Sequence, residues 1–161
     1  MNFISRTPVL WGLFGLAVLC AVGFNLFQPS VGGQYLDMLS DPIRVRAALA
    51  EMTPEQRSAH FWVTVLIDTA FPIGFGLLFA GLGWRFFGRF GTLAALPGLA
   101  VLVVDLTENT IQALALSGTA DVLDAKAWVT PLKMNLFYLA AVIALIAVGI
   151  ALYRLVRKPK G

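Results

Sequence analysis

Asp105 is related to Glu108 and Asn109, and these in turn to Gln112, by intervals of three and four inside one long apolar stretch, and Lys133 lies inside another. On a helix such spacing gathers the four onto a single face. A third stretch carries His60, Thr64 and Asp68 at intervals of four, a second polar stripe. A charged side chain held inside a bilayer costs from ~2.5 to more than ~10 kcal/mol, so it is kept only where it is paired, hydrated or useful. Counted inward from the loop ends of their helices at ~1.5 Å per residue, Asp68, Glu108 and Lys133 share a depth of roughly 8 to 12 Å, with Asp105 one turn further in. Stripes at one depth on three helices are expected to turn toward each other, because lipid offers no partner to any of them.

Three carboxylates against one ammonium group predict either that an acid keeps its proton near neutral pH or that another cation joins: Arg57, a metal ion or the amine of a ligand. Asp68 and Glu108 read as an acid/base or amine-binding pair, Lys133 as their counter-ion and Asn109 as the residue that orients Glu108. Asp105, Asn109, Thr64 and Gln112 complete the expected binding face. Polar residues on membrane helices also hold bundles together by hydrogen bonds worth about 0.6 to 2 kcal/mol each, and Asn109, Gln112 and Thr64 suit that structural role equally. His60, near a predicted interface, reads as an anchor. Its combination with Asp68 and Glu108 lacks the closely spaced histidine pair of a zinc site, so no metal and no cofactor are expected. One histidine excludes bis-histidine haem ligation, and Cys20, the single cysteine, excludes a dithiol motif.

The elements that must position these groups are read from composition. Hydrophobic residues make up 58% and charged residues 13% of the 161, and the mean hydropathy is +0.80. Those values describe an integral membrane protein rather than a soluble domain. Four spans are expected, at about residues 8–27, 61–82, 93–116 and 128–152, forming an all-α four-transmembrane-helix bundle in one domain over residues 1–161. Trp11, Trp62, Trp84 and Trp128 fall near span ends, where amphipathic rings belong. Leu19 before Cys20 argues against lipoprotein processing, and the absence of an Ala-x-Ala exit against cleavage, so an uncleaved first helix is expected. Gly74, Gly76, Gly81 and Gly83 suit close helix packing and form no phosphate loop. Pro72, four residues after Asp68, is expected to free a backbone carbonyl at position 68 and kink the helix.

Arg6, Arg85, Arg89, Arg154, Arg157, Lys158 and Lys160 fall in the N-terminus, second loop and C-terminus with no acidic residue beside them. The excess predicts that both termini are cytoplasmic and that the basic tail lies against anionic headgroups; no nucleic acid is expected as a partner. The first loop carries Asp41-Pro42 and the capping box of Thr53 and Gln56, which predict a short amphipathic helix over 42–50 on the outer surface and a second helix starting near Thr53.

Tyr35-Leu36-Asp37-Met38, Asp68-Thr69-Ala70-Phe71-Pro72, Asp105-Leu106-Thr107-Glu108-Asn109 and the lysine opening the fourth helix together resemble a group of small bacterial four-helix membrane proteins of uncharacterised function. The resemblance spans about residues 30–140 and implies the bacterial inner membrane without implying an activity. The layout is also loosely similar to that of sterol-isomerase and sigma-2-receptor-like proteins. The expected function is binding, or acting on, a small amphiphilic or lipid-like molecule. The alternative is an accessory or assembly subunit with a membrane-protein partner or a homo-oligomer, in which the cluster is structural glue.

Overall fold

A computed structural model describes residues 3–157. Among the described residues there are helices and no strands. The helix α1 (Thr7–Phe27) opens with Pro8 in its first turn, where a missing N–H costs nothing. In the loop that follows, α2 (Pro42–Glu51) is capped by Asp41, whose side chain accepts from the Ile43 N–H. The expected 42–50 helix is therefore present and one residue longer.

A capping box opens α3 (Pro54–Phe86): the Thr53 hydroxyl accepts from the Gln56 N–H, and the Gln56 side chain accepts from the Thr53 N–H. Within α3, residues Thr64–Asp68 form a π-helical turn that ends four residues before Pro72. The helix α4 (Gly91–Ser117) ends at Gly118, whose φ of 73° closes the left-handed cap. The last helix, α5 (Lys126–Val156), starts two residues before the expected span. Four helical segments, Thr7–Phe27, Pro54–Phe86, Gly88–Ser117 and Leu123–Val156, are long and apolar enough to cross a membrane.

The central element is α3, which packs against α1, α4 and α5, while α4 also packs on α5. Close approach of α3 and α4 depends on glycine. A Cβ on Gly98 would lie 2.8 Å from both the Ala80 nitrogen and the Gly76 oxygen, closer than side chains are tolerated. Two apolar layers result. Phe75, Val101 and Ala140, with Phe71, Phe79 and Phe137, fill the half toward the termini, and Leu36, Val45, Ile111, Leu116 and Leu123 fill the loop half. Residues 105–109 of α4 fall between these layers, so the polar side chains occupy a slab across the bundle. The outer surface is apolar: Trp11, Leu19, Leu66 and Leu145 are all exposed. The start of α1 and the end of α5 meet the α3–α4 turn at one end, where Arg85 reaches Ser5 and Thr7 and Arg154 lies over Phe86, and the first and third loops meet at the other through Arg46, Asp121 and Asp124.

Candidate functional site

The slab is organised around Glu108, which is fully buried. Its Oε1 accepts from the Lys126 ammonium and from the Thr130 hydroxyl, and its Oε2 lies 2.6 Å from Lys133 Nζ. Lys126, Thr130 and Lys133 are spaced by four and three at the start of α5, so one helix face delivers all three donors. Lys133 also pairs with Asp37 from the Leu36–Met38 turn and lies 3.6 Å from Asp105 Oδ1. The Gln112 amide donates to Asp37 at 3.4 Å. Glu108, Asp105, Lys133 and Gln112 are therefore brought together as their spacing predicts.

The acids outnumber the bases here. Among the described residues, Asp37, Asp68, Asp105 and Glu108 face Lys126 and Lys133 alone, because Arg57 is committed elsewhere: it donates to the Ala115 and Leu116 carbonyls at 2.6 and 2.7 Å and caps α4. Carboxylate oxygens of Asp37, Asp105 and Glu108 lie within 4.8 Å of one another, a spacing that suits a divalent cation. The Lys133 ammonium pairs with all three and supplies the positive charge there.

Asp68 is buried and lies within electrostatic range of Asp37, Asp105, Glu108 and Lys133. Among the described residues, no hydrogen bond or ion pair reaches its carboxylate. Its backbone is better served. The Asn109 amide donates to the Asp68 carbonyl at 2.7 Å, the acceptor that an α-helix would pair with residue 72. That residue is proline and has no N–H. The expected free carbonyl is thus present, and Asn109 serves it rather than orienting Glu108; the positioning of Glu108 falls to Lys126 and Thr130. Thr64 is buried in the π-turn, where its carbonyl accepts from the Thr69 hydroxyl.

His60 is 1% exposed. Its Nε2 accepts from the Leu36 N–H at 3.4 Å, and its ring meets Tyr35 edge to face. In the neutral ring the hydrogen then sits on Nδ1. That atom has no partner, and neither have the buried Asn109 Oδ1 and Gln112 Oε1. Tyr35 donates to the Phe24 carbonyl at 2.6 Å, and burial together with the charge of Asp68 pushes its phenol up.

Beside the slab, a groove of about 530 Å³ runs between α3 and α4, lined by Phe61, Val65, Leu106 and Leu114 with Thr69 and Asn109. A smaller cavity of about 200 Å³ under α2 is lined by Arg46 and Arg57, both already engaged by protein acceptors.

Asp37, Lys126 and Thr130 were not among the residues singled out for chemistry in the sequence. Lys126 reads as a third-loop charge when Trp128 is taken as the span end, although it stands seven residues before Lys133 and thus on the same helical face. Asp37 reads as a loop acid, and only the Tyr35-Leu36-Asp37-Met38 motif marks it. No family model, curated protein or solved structure matches the chain.

Proposed function

We propose that this chain is a multi-pass protein of the bacterial inner membrane, with both termini cytoplasmic, that binds or acts on a small amphiphile carrying a cationic or hydrogen-bond-donating head. Four apolar helices, an apolar outer surface and basic residues gathered at the end that holds both termini support the first part. The observation that carries the second is Asp68, a buried residue whose carboxylate no donor among the described residues reaches, within a cluster of four acids and two lysines. Unmatched acceptors at Asn109 Oδ1 and Gln112 Oε1 add to the demand for donors. A buried acceptor without a donor costs about 1–3 kcal/mol, which an ammonium or hydroxyl head would recover. In this reading Asp68 and Asp105 meet the head. Glu108 and Lys133 set the local charge, and Thr64, Asn109 and Gln112 shape the walls. The adjacent groove is of the size that small ligands fill and would take the hydrocarbon part.

A second reading, an accessory subunit of a larger membrane complex, is favoured by one observation: Glu108 is already satisfied by Lys126, Thr130 and Lys133, as structural glue would be. Native mass spectrometry of protein gently extracted from its own membranes separates the two. A small molecule on the wild type that is lost in a folded Asp68→Asn variant is the expected result. A wild type carrying no small molecule, or one retained unchanged in Asp68→Asn, rejects ligand binding. A stoichiometric protein partner kept in both establishes the subunit.

A further inference from the structure

The end of the bundle that holds both termini carries arginines from three segments and no acid. The chain has no acidic residue before Asp37, between Asp68 and Asp105, or after Asp124. Each arginine there lies over an aromatic ring: Arg6 over Phe3, Arg89 over Phe90 and Arg157 over Tyr153. Phe86 is shared, with the guanidinium carbon of Arg85 at 5.5 Å and that of Arg154, from the far end of α5, at 5.9 Å from its centroid. Arg85 is fixed in place because one nitrogen donates to the Ser5 carbonyl and to the Thr7 hydroxyl, at 3.3 and 2.8 Å. Arg154 is exposed, and among the described residues it has no hydrogen bond or ion pair. A guanidinium held over a ring keeps N–H donors at its edge, in the planar fork that matches a phosphate. Beside it, Phe90, Leu155 and Val156 are exposed and apolar.

We propose that Arg85 and Arg154, brought to Phe86 from α3 and α5, form a binding site for the phosphate of an anionic phospholipid whose acyl chains lie along the exposed apolar faces. The site is separate from the acidic slab and rests only on the membrane part of the reading above. Two arginines from different helices, with no competing side-chain carboxylate among the described residues, supply the charge, and the neighbouring apolar side chains select a lipid over a free anion.

The test uses the full chain. Alkaline carbonate extraction comes first: release from membranes overturns both membrane insertion and this site. Retained protein is purified in detergent, titrated with phosphatidylglycerol, phosphatidylcholine or inorganic phosphate, and its adducts are counted by native mass spectrometry. The expected result is a preference for phosphatidylglycerol over phosphatidylcholine of at least tenfold. Arg154→Gln should reduce it roughly fivefold and Arg85→Gln/Arg154→Gln should bring it to parity, while Arg89→Gln stays within twofold. Equal binding of the two lipids, or a preference unchanged in Arg154→Gln, overturns the site while leaving membrane insertion standing. Should the double variant fail to fold, the single Arg154→Gln change is decisive by itself. Full competition by millimolar phosphate would reduce the site to one for small anions and overturn its assignment to lipid.

Discussion

The Asn109 side-chain amide donates to the Asp68 backbone carbonyl at 2.7 Å, in place of the N–H that Pro72 lacks. One polar side chain on α4 thus repairs a break in the hydrogen bonding of α3, directly beneath a π-turn at Thr64–Asp68 and beside an unpaired acid. Asn109→Leu should cost about 1–3 kcal/mol, the penalty for leaving a buried carbonyl without a donor. Pro72→Ala returns an N–H to the helix, so in that background the same Asn109→Leu change should cost at least ~1 kcal/mol less. Unfolding of the four proteins of this double-mutant cycle in detergent measures the difference, and simple additivity would show that Asn109 does not stand in for the missing N–H.

Glu108 and Lys126 are both sealed from solvent and in contact. Removing Glu108 leaves Lys126 buried without an acid, so Glu108→Gln should destabilise the fold by about 3–5 kcal/mol, whereas Lys126→Met leaves Glu108 with Lys133 and Thr130 and should cost less. The double variant should recover part of that loss, because Lys133 keeps Asp37 and Asp105 as partners. A Glu108→Gln variant costing under ~1 kcal/mol in the same unfolding assay would contradict a dry pair.

Helical periodicity made most of this arrangement legible. The stripes at 105, 108, 109 and 112 and at 60, 64 and 68 place their residues on buried faces, because an apolar helix that must also bury polar groups leaves them one direction to face. Caps were equally legible: Asp41, Thr53 and Gln56 make the bonds their spacing implies. Hidden from periodicity were the contacts made by chain outside the apolar stretches. Asp37 reaches Lys133 across 96 positions of sequence, and no local rule couples a loop turn to a helix so far away. Lys126 was hidden because an interfacial tryptophan marks a hydropathy boundary, whereas the helix itself starts earlier and carries its first turn inward. Asn109 shows a third limit. Spacing placed it on the right face, but its partner is a backbone atom that only the proline on the opposite helix makes available.

Gly98 and Gly149 offer a contrast within one chain. A Cβ at position 98 would meet two backbone atoms of α3 at 2.8 Å, whereas at position 149 nothing lies within 4 Å. Backbone cannot rotate away, so Gly98→Ala must push α3 and α4 apart, an overpacking that typically costs about 1–3 kcal/mol. Gly149→Ala gains helix propensity and should be neutral or stabilising by up to ~1 kcal/mol. Thermal unfolding of the two variants should move in opposite directions or leave Gly149→Ala unmoved; a Gly98→Ala protein as stable as wild type would show that the helices are not held at this distance.

The first and third loops are joined by charge, and that joint has a pH signature. Arg46 on α2 donates to both oxygens of Asp121, at 2.7 and 3.0 Å, and to Asp124 at 2.9 Å. These bonds, with the Leu123 N–H, hold the Asp121 carboxyl below the usual carboxylate range. A group whose pKa is lowered by folding adds stability above its unfolded value, near about 3.9, and loses it as the pH falls through the lower folded value. The hold of α2 on the turn that precedes Lys126 should therefore be constant from about pH 7 to about 5 and be lost progressively as the pH falls below about 3.9 toward the lower folded value. The pair is exposed, so the expected readout is local opening of α2 rather than loss of the bundle. Hydrogen exchange of the α2 amides, corrected for intrinsic rates, should show that step. Asp121→Asn should lower protection at neutral pH and shrink the acid step, and about 1 M salt should weaken the wild-type protection because exposed charges are screened. Protection that is unchanged in Asp121→Asn would mean that Val45, the buried residue of α2, holds the helix without the ion pair.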